Sequence, residues 1–202
     1  MNQRKKKAPL GGLLLLALLG AGVLLFLWNP DRLVVSKLAR TQVPDYVEVQ
    51  LIDVDGTSRR GTSLDAINSI VIHYVGNPGT SAQANRGWFA NPESTVSAHF
   101  VVGLEGEVIQ CIPLHEKSSA SNHRNSDTIS IEVCHPDASG KFQDATYQAL
   151  VKLTAWLVDT CGLDAEDVIR HYDVTGKECP RWFVRDEEAW RQFKDRVKEK
   201  CP

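Results

Sequence analysis

The sequence has no excess of either charge. Lys and Arg number 23 against 25 Asp and Glu, a formal net charge of −2 over 202 residues. That excludes the basic footprint of a nucleic-acid-binding domain. No internal repeat is visible, so a solenoid or other repeat array is excluded. Charge is missing altogether from Leu10 to Trp28, "LGGLLLLALLGAGVLLFLW", a run of 19 residues. Roughly 20 helical residues cross the hydrocarbon core of a bilayer. No face of this run is polar, which argues against a helix packed on a soluble core. The following "FLWNPDR" lacks an A-x-A pattern, which argues against a cleaved signal peptide. The run reads as an uncleaved anchor with Trp28 in the interfacial belt.

Arg4, Lys5, Lys6 and Lys7 precede this run. Lys and Arg stay on the cytoplasmic side, so the N-terminus is expected inside and everything after Asn29 outside. The expected organisation is a cytoplasmic segment over 1–9, a transmembrane anchor over 10–28, a stalk over 29–48 and a globular domain over 49–202. An outer domain can form disulfides. Cysteine is scarce and odd in number: Cys111, Cys134, Cys161, Cys179 and Cys201. One is left without an internal partner, and a metal ligand would account for it.

From Val49 onward the pattern is that of a mixed domain. "SIVIHYV" (69–75) and "TISIEVCH" (128–135) are short β-branched runs and read as buried strands. "SAHFVVGLEGEVIQCIP" (97–113) reads as two strands joined across "LEGE". "NPGTSAQ" reads as a loop. "TYQALVKLTAWLVDTCG" carries Leu150, Leu153, Trp156 and Leu157 at helical spacing, with Gly162 to end it. "DVIRH" is a short strand. "RDEEAWRQFKDRVKEKC" is an amphipathic helix with Trp190, Phe193 and Val197 on one side. The expected fold class is α/β: a central mixed sheet flanked by helices, preceded by a single transmembrane helix.

His73 and His171 each close a buried strand. Either is open to the plain reading of a capped core histidine. Two strands that each deliver a histidine at the C-terminal end can also put both imidazoles on one sheet edge. Cys179 can fold back to the same point through a loop containing Gly176. Two His nitrogens and one Cys thiolate, with the fourth position open, suit a zinc hydrolase. Glu132 lies in "ISIEV", where a carboxylate is either an ion-pair partner or a tuned acid/base. Zinc-assisted hydrolysis needs such a group to take a proton from water and deliver it to a leaving amine. Lys177 is either a surface lysine or a charge for a developing oxyanion.

The blocks "SIVIHY", "NPGTSAQANRGWF", "TVSAHFVVGLEGEVIQCIP", "SDTISIEVCHPD" and "VIRHYDVTGKECPRWF" together resemble the zinc-dependent N-acetylmuramoyl-L-alanine amidases of the type 2 amidase family. That family includes phage lysins, bacterial cell-wall amidases and peptidoglycan recognition proteins, and the resemblance runs from about Asp53 to Arg185. It implies that His73, His171 and Cys179 hold zinc and that Glu132 is the catalytic acid/base. It implies that Lys177 stabilises the reacting carbonyl oxygen. A tyrosine-using branch places that residue where this chain has Ala98, so the glutamate branch is the match. His99 corresponds to a family histidine read as structural. Where many relatives have a "WHAG"-like segment, this chain has "HEKSSASNHRNSD", and His123, Arg124 and Asn125 are candidate substrate contacts.

The implied reaction cuts the amide between N-acetylmuramic acid and L-alanine, with peptidoglycan as partner and the membrane as tether. The alternative is a module that binds peptidoglycan without cutting it. Such members typically lack a ligand, and a closed structural zinc site would need a fourth ligand that is not evident. With Cys179 assigned to zinc, four cysteines remain and permit three connectivities; position alone offers Cys161–Cys201 and Cys111–Cys134, with small buried free thiols as the alternative on the strands.

Overall fold

Ser69–Ile72 (β2) has no residue that faces water: Ile70, Val71 and Ile72 are fully buried. β-branched side chains suit a strand covered on both faces. The computed structural model describes residues 30–54 and 57–201. In it β2 is flanked by two parallel neighbours, β5 (Thr128–Val133) and β6 (Val168–Arg170). The other strands are β1 (Val47–Val49), β3 (Phe100–Val102) and β4 (Val108–Gln110). The six lie in the order β1-β4-β3-β5-β2-β6. β3 and β4 are the antiparallel pair, joined across "LEGE" as expected, and every other pairing is parallel.

Parallel neighbours require crossovers, which helices supply. Helix α1 (Pro30–Leu38) precedes the sheet. Helix α2 (Ala82–Phe89) joins β2 to β3, and α3 (Asp144–Cys161) joins β5 to β6. Two short helices, α4 (His171–Thr175) and α5 (Arg181–Arg185), lead into α6 (Glu187–Lys200). Leu150, Leu153 and Leu157 of α3 are fully buried, and Gly162 ends the helix at φ 70°. Trp190, Phe193 and Val197 are the buried residues of α6, as the periodicity predicts.

The sheet separates two apolar clusters. Ile70, Ile72, Phe100, Val102, Ile129, Ile131 and Val133 join the cluster that contains α3 and α6. Val101 and Ile109 join the smaller cluster with Ala82 and Phe89 of α2. Successive strand residues alternate faces. His73 and Glu132 are therefore on the face away from α3 and α6.

Several expectations change. The expected stalk is, from residue 30 onward, part of the packed unit: Val35 and Leu38 are buried in the main cluster. Val47–Val49 already pairs with β4 as an edge strand, so the sheet begins before residue 49. "NPGTSAQ" is a loop only as far as Ser81, whose side chain caps α2 by accepting from the Ala84 N–H. The cysteines are all free. Cys111 follows β4 and Cys134 follows β5, and β3 lies between those strands. Two strand spacings come to roughly 9–10 Å, beyond disulfide reach. The Cys201 thiol reaches the Ala155 carbonyl at 3.8 Å. Cys161 is six residues further along α3, roughly 9 Å of helix rise away. The expected membrane span over 10–28 lies outside the described residues. Among the described residues no helix is long and apolar enough to cross a membrane.

Candidate active site

Register brings the site together. Ile72 is paired with Ile131 on one side and with Arg170 on the other. One residue further along, His73 stands level with Glu132 and His171. All three leave the C-terminal ends of adjacent parallel strands, where open α/β sheets place their ligands. The two imidazole centroids are 4.5 Å apart, with their planes at 49°. Glu132 Oε1 is 4.0 Å from His73 Nδ1.

Cys179 arrives from the loop beyond β6. His171–Thr175 makes a single helical stretch, ended by Gly176 at φ 76°. A glycine carries that left-handed conformation without strain. The chain then returns so that the Tyr172 N–H donates to the Cys179 carbonyl at 2.8 Å. One donor atom each from His73, His171 and Cys179 lie within 4.8 Å of one another, and all three residues are buried.

Arg170 braces this loop, and sequence reasoning missed it. Its Nε and Nη2 donate to Asp173, and its Nη1 donates to the Phe183 carbonyl and to Glu187 at 2.9 and 2.6 Å. The guanidinium thereby ties β6 to α4, α5 and α6. The available signal was an arginine at a strand end with an aspartate three residues on.

The electrostatics suit a cation. Burial holds the His73 imidazole well below the usual histidine range, helped by the charges of His171 and Lys177. Burial lowers His171 also, with Lys177 adding to it. Both rings are thus neutral and able to offer a lone pair. Burial pushes the Cys179 thiol up to about 12, with Glu132 adding to it; a backbone hydrogen bond with Tyr74 and the Lys177 charge oppose. Burial pushes the Glu132 carboxyl up to about 8, and Lys177 opposes. Glu132 Oε2 is buried without a hydrogen-bond partner. A buried acceptor without a partner is costly. Two imidazoles and a thiol whose donor atoms converge fit a divalent ion, with the Glu132 carboxyl beside His73. Tetrahedral zinc needs its donors roughly 3.3–3.7 Å apart, given bonds of about 2.0–2.3 Å. Donors already within 4.8 Å meet that with small side-chain adjustments.

The segment before β5 builds a turn of its own. Arg124 Nε donates to both carboxylate oxygens of Asp127, and its Nη2 donates to Ser69 Oγ. Asn125 Oδ1 accepts from the N–H groups of Ala120 and Ser121, at 3.0 and 2.6 Å. Both side chains are engaged in building the loop, while His123 is exposed. Their neighbours, unremarked in the sequence, touch the site. Ser121 Oγ is 3.2 Å from His73 Nε2, and Asn122 Oδ1 accepts from His171 Nε2 at 2.8 Å.

His99 stands apart from this cluster. The Ser130 N–H donates to its Nδ1 at 3.0 Å, so Nε2 carries the proton and donates to the Glu116 carbonyl at 2.8 Å. Both nitrogens are committed to backbone, as for a core histidine. A groove of about 660 Å³ between α3 and α6, with Trp182 and Tyr147 in its wall, shares no residue with the His73 cluster.

A family model described as N-acetylmuramoyl-L-alanine amidase matches residues 63–182. The chain is 32% identical over 170 residues to the N-acetylmuramoyl-L-alanine amidase BlyA of Bacillus subtilis (strain 168), covering 74% of this chain and 46% of that protein. It is 31% identical over 163 residues to the N-acetylmuramoyl-L-alanine amidase CwlL of Bacillus licheniformis, covering 72% of this chain and 45% of that protein. The chain thus spans about half the length of the curated relatives it matches. Among solved structures, the catalytic domain of XlyA, a protein of Bacillus subtilis (strain 168), superposes with a TM-score of 0.66 at 27% identity. That match covers 75% of this chain and 98% of the solved one.

Proposed function

The chain belongs to the N-acetylmuramoyl-L-alanine amidase family, and from that premise we propose that it is a zinc-dependent hydrolase of peptidoglycan. The bond cut is the amide between the lactyl group of N-acetylmuramic acid and the L-alanine of the stem peptide. The observation that carries this reading is the level placement of His73, Glu132 and His171 with Cys179 folded back among them.

His73, His171 and Cys179 would hold the zinc, whose chemistry when bound is to polarise a carbonyl and acidify water. Glu132 acts as the acid/base. Its burial favours the protonated carboxyl, which suits a group that must hold and release a proton near neutral pH. It takes the proton of the attacking water and delivers it to the leaving nitrogen of L-alanine. Lys177 bears its charge close enough to add to the lowering of His73 and to oppose, in part, the effect of burial on Glu132. That charge favours an oxyanion forming between them. His123, exposed beside Asn122, and the partly exposed Arg124 and Asn125 are the candidates from that segment for contact with the substrate.

The N-terminal sequence supports tethering at the outer face of the membrane. Four basic residues followed by an uncharged run from Leu10 to Trp28 are the basis for that. Helix α1 starts at Pro30, so a membrane span over 10–28 would leave only Asn29 between bilayer and packed domain.

Purified full-length protein incubated with muropeptides should release stem peptide with a free L-alanine amine, and a chelator should stop it. Glu132→Gln should keep zinc and substrate affinity while kcat falls about 10²–10⁴-fold. Substrate binding with no new amine would point to the non-cutting module instead. Near wild-type turnover in Glu132→Gln would assign proton transfer to another group.

A further inference from the structure

Two adjacent residues, Ser121 and Asn122, each meet the Nε2 of a different candidate ligand histidine. We propose that they are positioning residues for metal binding: Asn122 sets the tautomer and orientation of His171, and Ser121 sets the ring orientation of His73. The inference rests on the reading of those histidines as zinc ligands.

An amide oxygen only accepts. The Asn122 Oδ1 contact at 2.8 Å therefore places a hydrogen on His171 Nε2 and leaves the lone pair on Nδ1. At His73, Nε2 meets Ser121 Oγ at 3.2 Å, a hydroxyl that can donate or accept and so fixes the ring's orientation, and Nδ1 is the nitrogen facing Glu132. Each ring thus has its outer nitrogen engaged and its Nδ1 available. Metal-ligating histidines are generally fixed in this way by a partner on the second nitrogen.

The turn that carries the two residues is itself held. Ser121 is fully buried. Asn125 Oδ1 anchors the backbone just before the turn, and the Arg124 pair with Asp127 anchors it just after. Asn122 sits at φ 55°, the one non-glycine residue with positive φ among those described. Asparagine tolerates this region better than most residues, and glycine better still. One strained position thus delivers an acceptor to His171 while its neighbour meets His73.

That conformation supplies a discriminating test. Asn122→Gly keeps the backbone conformation and loses the acceptor. Asn122→Asp keeps an acceptor and tolerates the conformation. Zinc affinity of the full chain, by competition with a chromogenic chelator, should fall about 10–100-fold in Asn122→Gly and in Ser121→Ala. It should stay near wild type in Asn122→Asp. Long-range ¹H–¹⁵N NMR of the metal-free protein should show the Nε2–H form of His171 in wild type and a mixture in Asn122→Gly. A thermal melt of each variant reports whether the fold has changed. Wild-type zinc affinity in Asn122→Gly would overturn the proposal and leave the proposed function standing. A wild-type chain that binds no zinc would instead overturn the metal reading, and this proposal with it.

Discussion

His73 and His171 lie side by side because Ile72 and Arg170 are register partners on two parallel strands, and their ring centroids are 4.5 Å apart. Neither residue is near the other in sequence, and no local pattern links them. The pairing of β2 with β6 makes them one site, and the pairing of β2 with β5 adds Glu132 on the other side. A slip of one residue in either pairing would turn a side chain to the opposite face.

The first consequence concerns Cys179. Wild-type protein is expected to carry one zinc per chain, and Cys179→Ala to lose most of it together with activity. Cys179→Asp, which keeps an anionic donor, should retain zinc at lower affinity. Metal analysis after gel filtration checks this. Full zinc content in Cys179→Ala would remove the thiol from the site.

Acid should weaken the fold through His99. Burial lowers its pKa from 6.5 to about 4, with the Glu116 carbonyl opposing. The folded-state value is the lower one, so the unfolded chain binds the proton more readily. The stabilisation is fully present above pH 6.5 and is lost as pH falls from there towards 4. The loss is about 2–3 kcal/mol by pH 4.5. The structure supplies the cause: protonated Nδ1 would face the Ser130 N–H, donor against donor. Urea unfolding at several pH values should show this slope in wild type and a flatter one in His99→Gln. Equal slopes would assign the acid sensitivity elsewhere.

Gly106 should resist substitution although it lies in a surface turn. It has φ 84°, and an added Cβ would stand 2.9 Å from the Ala145 carbonyl oxygen at the start of α3. Gly106→Ala is expected to cost about 1–3 kcal/mol, since both conformation and space are unsuited to a side chain. A lowered melting temperature with unchanged zinc affinity is the expected pair of readings. An unchanged melting temperature would show that the turn can move away from α3.

Much of this protein could be read along the chain. The β-branched runs at 69–72 and 128–133, the hairpin across "LEGE" and the apolar spacing of helices 144–161 and 187–200 are local patterns. Each is set by which side chains must leave water. His73, Glu132 and His171 stood out as candidates for the same reason, since charged or ligating groups are conspicuous in and at the ends of apolar strands, while Cys179 was marked by its spacing from His171.

Only the tertiary structure decided what those patterns left open. Helix 30–38 looked like a stalk because its two anchoring residues, Val35 and Leu38, signify burial only once the main cluster is there to receive them. Cys111 and Cys134 looked pairable until β3 was found between their strands. Arg124 and Asn125, read from the sequence only as candidate substrate contacts, also hold the turn from which Ser121 and Asn122 reach the histidines. Periodicity reports which face of an element is buried. Strand order, register and the partner of a polar group depend on residues far away in the chain, and these decided how four scattered side chains became one site.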